Sequence, residues 1–366
     1  MIEVRRLQLD KTKRSIIISD IHANLMLFKK LLRKVNYTEE DYLFINGDLC
    51  EKGPKSIEVV NYIRNLSMKS STVYVTKGNC DVLYRPIFNG VEGIISYMNK
   101  QKNSILNEML SMHGKSPDDF SLQELAQFYR QYFHSEIEWL ESLPIAYETD
   151  EFIIVHAGIE NIENWQRTEE TFALSAPAFY ENEHQANKTV IVGHWPVVNY
   201  RSNQVSSNNP LIDLDKKVIA LDGGNQIKKD GQLNALLVEN DTYSFTYVDD
   251  LVEEIVVQKD YIDLANRIGT VTYPNYEMKI IKQEEYFTLC ENRKLGLQQW
   301  IKNEYLIIEE GQARSKSDLS TTFLSVTQAE KVRVVDNKCA GYSLVKKANG
   351  EVGWIPKDCL DTKKGG

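Results

Sequence analysis

Ser15-Ile16-Ile17-Ile18-Ser19-Asp20-Ile21-His22 is the stretch on which the reading of this chain turns. Its apolar half reads as a buried strand, and just past that strand an aspartate and a histidine stand two residues apart. Asn24 then caps a helix with Leu25, Phe28, Leu31, Leu32 and Val35 on one face. Tyr42 to Asn46 (YLFIN) is a second apolar strand. Gly53 and Pro54 lead into a helix with Val59, Val60, Ile63 and Leu66 inward, and Thr72 to Thr76 (TVYVT) is a third strand. This βαβαβ order predicts a sheet with helices on its faces.

Residues 90–143 have a helical composition without strand runs, and the length of this excursion suggests a cap. Strand signals return at 151–155 (EFIIV), 189–192 (TVIV), 217–221 (KVIAL), 233–238 (LNALLV) and 242–248. The expected fold is α/β, a β-sandwich flanked by helices rather than one doubly wound sheet. Beyond about residue 250 short β-like runs take over. There Trp300-Ile301-Lys302-Asn303-Glu304-Tyr305-Leu306 lines up with Trp354-Ile355-Pro356-Lys357-Asp358-Cys359-Leu360, an offset of 54 residues (354 − 300). Residues 285–289 and 330–335 are comparable strand candidates upstream, and 311–320 is a polar link. The expected organisation is a large unit over 1–250 and two small β modules over 251–312 and 313–366, with Trp300 and Trp354 in their cores.

A chain of 366 residues exceeds what one hydrophobic core usually serves. Its 42% hydrophobic and 26% charged composition is that of a globular protein. A net charge of −9 argues against a nucleic-acid-binding surface, which needs clustered Lys and Arg. Met1 to Arg14 is charged, and no stretch approaches the ~18 apolar residues of a membrane span. Five cysteines without a C-x-x-C pair fit reduced thiols. A cytoplasmic protein without nucleic-acid or membrane partners is expected. Such an acidic chain, if it handles an anion, must neutralise it locally, and a bound metal is one way to do so.

Five short motifs follow the predicted strands: Ser19-Asp20-Ile21-His22, Gly47-Asp48-Leu49-Cys50-Glu51-Lys52-Gly53, Gly78-Asn79-Cys80-Asp81, His156-Ala157-Gly158-Ile159 and Gly193-His194-Trp195-Pro196. Open α/β sheets bind ligands at these strand ends, where several loops converge. In extended chain Asp20 and His22 point the same way and can hold one divalent ion. Asp48, ending the neighbouring strand, can bridge to a second ion, and Asn79, His156 and His194 complete its neutral oxygen and nitrogen ligands. Two divalent ions outweigh the two aspartates, leaving a positive centre suited to phosphate. Gly47, Gly53, Gly78 and Gly193 flank the ligands where a Cβ would obstruct the backbone's approach. Cys50 reads as a packing residue, and His113, His134 and His184 have surface or core roles.

In this order the D-x-H, G-D, G-N, H-A-G and G-H motifs resemble those of the calcineurin-like metallophosphoesterases, over roughly residues 15–240. GDLCEKGP (47–54), WLESLP (139–144), VHAGI (155–159), GHWP (193–196) and LDGG (221–224) resemble the bacterial phosphoprotein-phosphatase-like branch. That branch contains serine/threonine protein phosphatases and symmetrical diadenosine tetraphosphate hydrolases. The segment ending Gly353-Trp354-Ile355-Pro356 resembles bacterial SH3-like domains.

The resemblance implies two divalent ions, Mn2+ first, with Fe, Zn or Ni as alternatives, and a metal-bridging hydroxide that attacks phosphorus. In the protein phosphatases an Asp orients a His that protonates the leaving alkoxide, and an Arg grips phosphate. Here Glu51 replaces that Asp, Lys52 the Arg and Cys80 the His. Glu51, Lys52, Cys80 and Asp81 are therefore the catalytic candidates, and Lys52, Asn79 and Arg85 the substrate-binding ones. A thiol is a poorer acid than an imidazolium, which biases the chain toward substrates needing less protonation: aryl phosphates, phosphodiesters or phosphoanhydrides. The expected activity is protein-phosphatase-like phosphoesterase action on a phosphorylated protein or a small phosphate ester. Alternatives are a dinucleoside polyphosphate hydrolase or phosphodiesterase and, outside enzymes, a phospho-ligand-binding scaffold. A peptide or protein is the expected partner of the SH3-like region.

Overall fold

The computed structural model describes residues 1–240, 242–309 and 311–360. The chain forms two compact units, one of Met1–Trp195, Pro210–Ile227 and Gln232–Val248, the other of Pro196–Asn209, Lys228–Gly231 and the chain from Asp249 onward. A single cut near residue 250 would leave 196–209 and 228–231 with the first unit, whereas both cluster with the second. Local bonding explains this: the Ser206 N–H donates to Thr322 Oγ1 at 3.0 Å, and Lys228 Nζ donates to Asn199 Oδ1 at 2.9 Å and pairs with Asp318.

The first unit holds strands β1 (Val4–Arg6), β2 (Ser15–Ser19), β3 (Tyr42–Asn46), β4 (Val73–Thr76), β5 (Ala146–Glu148), β6 (Phe152–Val155), β7 (Thr189–Val192), β8 (Leu211–Asp213), β9 (Val218–Ala220), β10 (Leu233–Glu239) and β11 (Thr242–Val248). Its helices are α1 (Leu25–Lys34), α2 (Ser56–Lys69), α3 (Tyr84–Phe88), α4 (Gly93–Lys100), α5 (Ile105–Ser111), α6 (Leu122–Tyr132), α7 (His134–Glu141) and α8 (Glu170–Ser175). One sheet runs β11-β10-β2-β3-β4 and the other β1-β5-β6-β7-β9-β8. β2, β3 and β4 pair in parallel, with Ile16 opposite Leu43 and Leu43 opposite Val73.

Alternation along the strands builds a sandwich. Ile17 and Phe44 join Phe152, Ile154, Ile191 and Ile219 of the other sheet in one apolar cluster. Ile16, Ile18, Leu43 and Ile45 face the opposite way and pack with Phe28, Leu31, Val59 and Ile63 of the helices. Successive strand residues point to opposite faces, so a strand apolar throughout must be covered on both. The Asn24 side chain caps α1 by accepting from the Leu27 N–H at 3.0 Å. The α4 to α7 excursion shares the helix-side core through Met98, Leu106, Leu125 and Tyr129.

Among its described residues the second unit is all β apart from 3₁₀ turns: β12 (Glu254–Val256), β13 (Thr270–Val271), β14 (Glu277–Gln283), β15 (Phe287–Asn292), β16 (Gln298–Lys302), β17 (Leu306–Glu309), β18 (Gln312–Ser315), β19 (Leu319–Ser320), β20 (Lys331–Asp336), β21 (Tyr342–Lys347) and β22 (Val352–Pro356). The sheets run β16-β15-β14-β18-β17 and β12-β20-β21-β22, with β13 paired to β19. One core takes residues from both larger sheets, among them Met278, Phe287, Ile301, Leu344 and Trp354. The sequence repeat has a counterpart in shape: β16 runs into a 3₁₀ turn at Asn303–Tyr305 and β22 into one at Lys357–Cys359. The end of the expected second module, 361–366, lies outside the described residues. No helix among the described residues is long and apolar enough to cross a membrane.

Candidate metal centre

The six expected ligands all lie in the first unit, on loops that leave the C-terminal ends of strands. Asp20 and His22 follow β2, Asp48 follows β3, Asn79 β4, His156 β6 and His194 β7. Asp20, His22, Asp48 and His156 are buried, and Asn79 and His194 half-buried. Asp20, His22, Asp48 and His194 all have left-handed backbones, with φ of 56°, 47°, 48° and 64°. Such conformations cost non-glycine residues about 1–3 kcal/mol each and persist where the surroundings enforce them. Glycine makes the tight approach feasible: a Cβ on Gly78 would lie 2.1 Å from the Asp48 nitrogen, and one on Gly193 would lie 2.1 Å from Asp20 Oδ2.

Two donor groups form, one of His22, Asp48 and Cys80 and one of Asp48, His156 and His194, each with its ligand atoms within 4.8 Å of one another. Asp48 belongs to both. Its Oδ2 lies 3.9 Å from His22 Nε2 and its Oδ1 3.3 Å from His156 Nε2. Asn79 Oδ1 stands 3.0 Å from His156 Nε2 and 2.9 Å from His194 Nδ1. Asp20 accepts from the His194 N–H with both oxygens at 3.1 Å and from the Ser19 hydroxyl. It thereby ties the first loop to the last.

Tautomers orient the imidazoles. His22 Nδ1 lies 3.1 Å from the Cys50 carbonyl oxygen and His156 Nδ1 3.1 Å from that of Asn46. A carbonyl only accepts, so each Nδ1 carries the proton and each Nε2 presents a lone pair to the centre. His156 Nε2, Asn79 Oδ1 and Asp48 Oδ1 then converge as acceptors, an arrangement a cation relieves. Backbone carbonyls fixing the far nitrogen are the usual support of metal-ligating histidines. The residues thus fit a pair of divalent ions sharing Asp48.

The electrostatics agree with the geometry. Burial works to raise the Asp48 carboxyl, but His156, His22 and His194 outweigh it and hold the group below its ordinary value. Asp20 is pushed well up by burial, then by Asp222 and Asp48. Burial, with His156 nearby, lowers the His194 imidazole to about 4, so it stays neutral and can ligate. Burial and then Asp48 drive the Cys80 thiol well above its usual range.

The other expected residues occupy distinct settings. Asp81 accepts from the backbone N–H groups of Leu49 and Gly78 at 2.9 Å and of Cys50 at 3.3 Å, and so joins two ligand loops. Both sides of the Arg85 guanidinium are taken by carboxylates, Glu141 and Glu170, each at 2.6 Å. Glu51 is buried and turned to the helical excursion, accepting from the Tyr97 hydroxyl at 2.6 Å and the Ile105 N–H at 2.7 Å. Lys52 is half-buried beside it.

The centre also rests on a residue outside the five motifs, Asn46. Its carbonyl receives His156 and the Ser19 hydroxyl, its amide nitrogen donates to the Val155 carbonyl at 3.0 Å, and its Oδ1 accepts from Thr76 at 2.8 Å. A polar residue closing the apolar run YLFIN was the available signal.

A family profile described as calcineurin-like phosphoesterase matches residues 13–221, more than half of the chain. The chain belongs to the calcineurin-like phosphoesterase family. This phosphoesterase-family chain is 31% identical over 147 residues to a symmetrical bis(5'-nucleosyl)-tetraphosphatase of Pectobacterium atrosepticum, a match covering 39% of this chain and 42% of that protein. It is 28% identical over 172 residues to an asymmetrical bis(5'-nucleosyl)-tetraphosphatase of Bacillus subtilis, covering 43% of this chain and 64% of the relative. In both cases the chain spans less than two thirds of the curated relative's length. A solved serine/threonine phosphatase from Saccharomyces cerevisiae aligns at 12% identity and a TM-score of 0.43, over 69% of this chain and 85% of that one. The family uses dinuclear divalent-metal sites, which the two donor groups sharing Asp48 fit.

Proposed function

We propose that this chain is a metal-dependent phosphoesterase acting on substrates with good leaving groups, dinucleoside polyphosphates foremost. The observation that carries the reading is the membership of Asp48 in both donor groups. Bound there, a pair of divalent ions supplies charge for the phosphate and an activated water at neutral pH. Manganese is the proposed metal on the carboxylate and amide oxygen donors, with Fe, Zn or Ni, which imidazole suits, as the alternatives.

The chain's own residues do the rest. Asp48, His22, His156, His194 and Asn79 hold the centre, with Asp20 placed between its first and last loops. Lys52 offsets charge on the substrate phosphate as a point cation. Cys80 stands where the protein phosphatases carry a proton-donating His, and its buried thiol gives little help to a leaving alkoxide. A nucleotide leaving from a phosphoanhydride needs no such proton, and the relatives named as bis(5'-nucleosyl)-tetraphosphatases support that class. The motif order also supports a second reading, a protein phosphatase. A cytoplasmic location is proposed with either, and the second unit is proposed to be SH3-like and to take a peptide or protein partner.

The test compares kcat/KM of the manganese-loaded full chain on diadenosine tetraphosphate, bis(4-nitrophenyl) phosphate and a phosphopeptide. The dinucleotide is expected to lead. A leading phosphopeptide selects the protein-phosphatase reading, and no turnover of any of the three leaves a phospho-ligand-binding scaffold.

A further inference from the structure

Glu51 and Lys52 are consecutive non-glycine residues in the left-handed region, with φ of 70° and 65°. Side-chain-bearing residues rarely adopt this backbone, so neighbouring structure must hold the corner in place. On one side Gly53 packs against the loop of His22, where a Cβ would lie 2.2 Å from the His22 carbonyl oxygen. The other side is gripped by the helical excursion. Tyr97 of α4 donates its hydroxyl to Glu51 Oε2 at 2.6 Å, the Ile105 N–H at the start of α5 donates to Oε1 at 2.7 Å, and Asn103 Nδ2 donates to the Lys52 carbonyl at 2.9 Å. Residues 97–105 therefore fix the corner through both the Glu51 side chain and the Lys52 backbone. Arg85, the other cation considered for the phosphate, is committed to two carboxylates.

We infer that Tyr97 and Asn103 are positioning residues: the cap, working through Glu51, holds Lys52 where it meets the substrate phosphate and so sets affinity rather than chemical rate. This rests on the phosphoesterase reading for its kinetic consequence. Neither residue touches a metal ligand in the hydrogen bonds above, so their removal leaves the donor groups intact.

The test uses the full manganese-loaded chain with Tyr97→Phe and, separately, Asn103→Ala, the latter at an exposed position whose loss spares the core. KM for bis(4-nitrophenyl) phosphate and the dissociation constant for inorganic phosphate by calorimetry are expected to rise about 3- to 10-fold, the worth of one hydrogen bond near 1 kcal/mol. Turnover number and bound manganese stay at the parental values. In a Lys52→Ala background the same substitutions add nothing, because the group they position is gone. Unchanged KM and phosphate affinity, a parallel loss of kcat and manganese, or full additivity with Lys52→Ala would each overturn the inference. A parent chain that binds phosphate but turns over no ester sinks the enzymatic reading instead, and the calorimetric arm still decides the role of the cap.

Discussion

Replacing Asp48 by Asn keeps the shape of the side chain and the acceptor for the Cys80 N–H, which is 2.9 Å from Oδ1, while removing the charge. Two donor groups lose their common anion at once. The nearest histidine nitrogens lie 3.3 and 3.9 Å from its oxygens. A unit charge at about 4 Å interacts by about 4 kcal/mol at an effective dielectric of 20, which corresponds to about a thousandfold in binding. Ions seated between those groups carry twice the charge, so that figure is a floor. Metal analysis after gel filtration should find two manganese ions per parent chain and none retained by Asp48→Asn, with turnover lost in proportion. His22→Ala, confined to one group, should lower occupancy of one ion, and His194→Ala that of the other. Retention of both ions by Asp48→Asn, or loss of the same ion in both histidine variants, would refute a shared carboxylate.

Further substitutions probe the acid, the second core and the pH response. Cys80→His should raise turnover of alkyl phosphates more than of aryl phosphates, because only the former need a protonated leaving group; equal gains would contradict the missing-acid account. Trp354 is fully buried, with Nε1 donating to the Ser320 carbonyl at 2.8 Å, so Trp354→Ala should cost about 3–5 kcal/mol in chemical denaturation. A loss below 1 kcal/mol would mean the site is loosely packed. Burial works to raise the Asp41 carboxyl, but Arg14, at 3.0 and 2.9 Å, and the Thr38 N–H, at 2.8 Å, hold it below its ordinary value. Its folded-state value is the lower one, so its stabilisation is complete above about pH 4 and fades as pH falls through the folded value. Asp41→Asn should therefore flatten the acid limb of a melting-temperature profile, and an unchanged limb would rule out this contribution.

The sandwich and its helices were legible because strands apolar on both faces admit few other arrangements: Ile17 and the Ile16–Ile18 pair find opposite cores. β1, β5 and β8 were not, since three residues outside a longer apolar run carry no readable alternation; β1 pairs with β5 and β8 with β9, itself of three residues, so these strands form through the sheet rather than from local propensity. The types and order of the candidate donors were visible from the motifs, whereas the settings of Asp81 and Arg85 depend on partners far along the chain. Glu141, which holds Arg85, is 56 residues away. Tyr97 had no motif to announce it, being one aromatic among helical residues whose hydroxyl matters only once α4 meets the Glu51 corner. Periodicity reports what is buried, and it is silent on which polar atoms meet across long loops.

The interleaving of the two units bears on how the molecule is made. Residues 196–209 leave the ribosome more than a hundred residues ahead of Thr322, with which Ser206 bonds, and Lys228 emerges ninety residues before Asp318. Domains generally mature from the N-terminus during synthesis. Here those two segments must wait, solvated, until the last third of the chain arrives, so a message truncated after codon 250 would yield a protein with two orphaned stretches rather than a clean half.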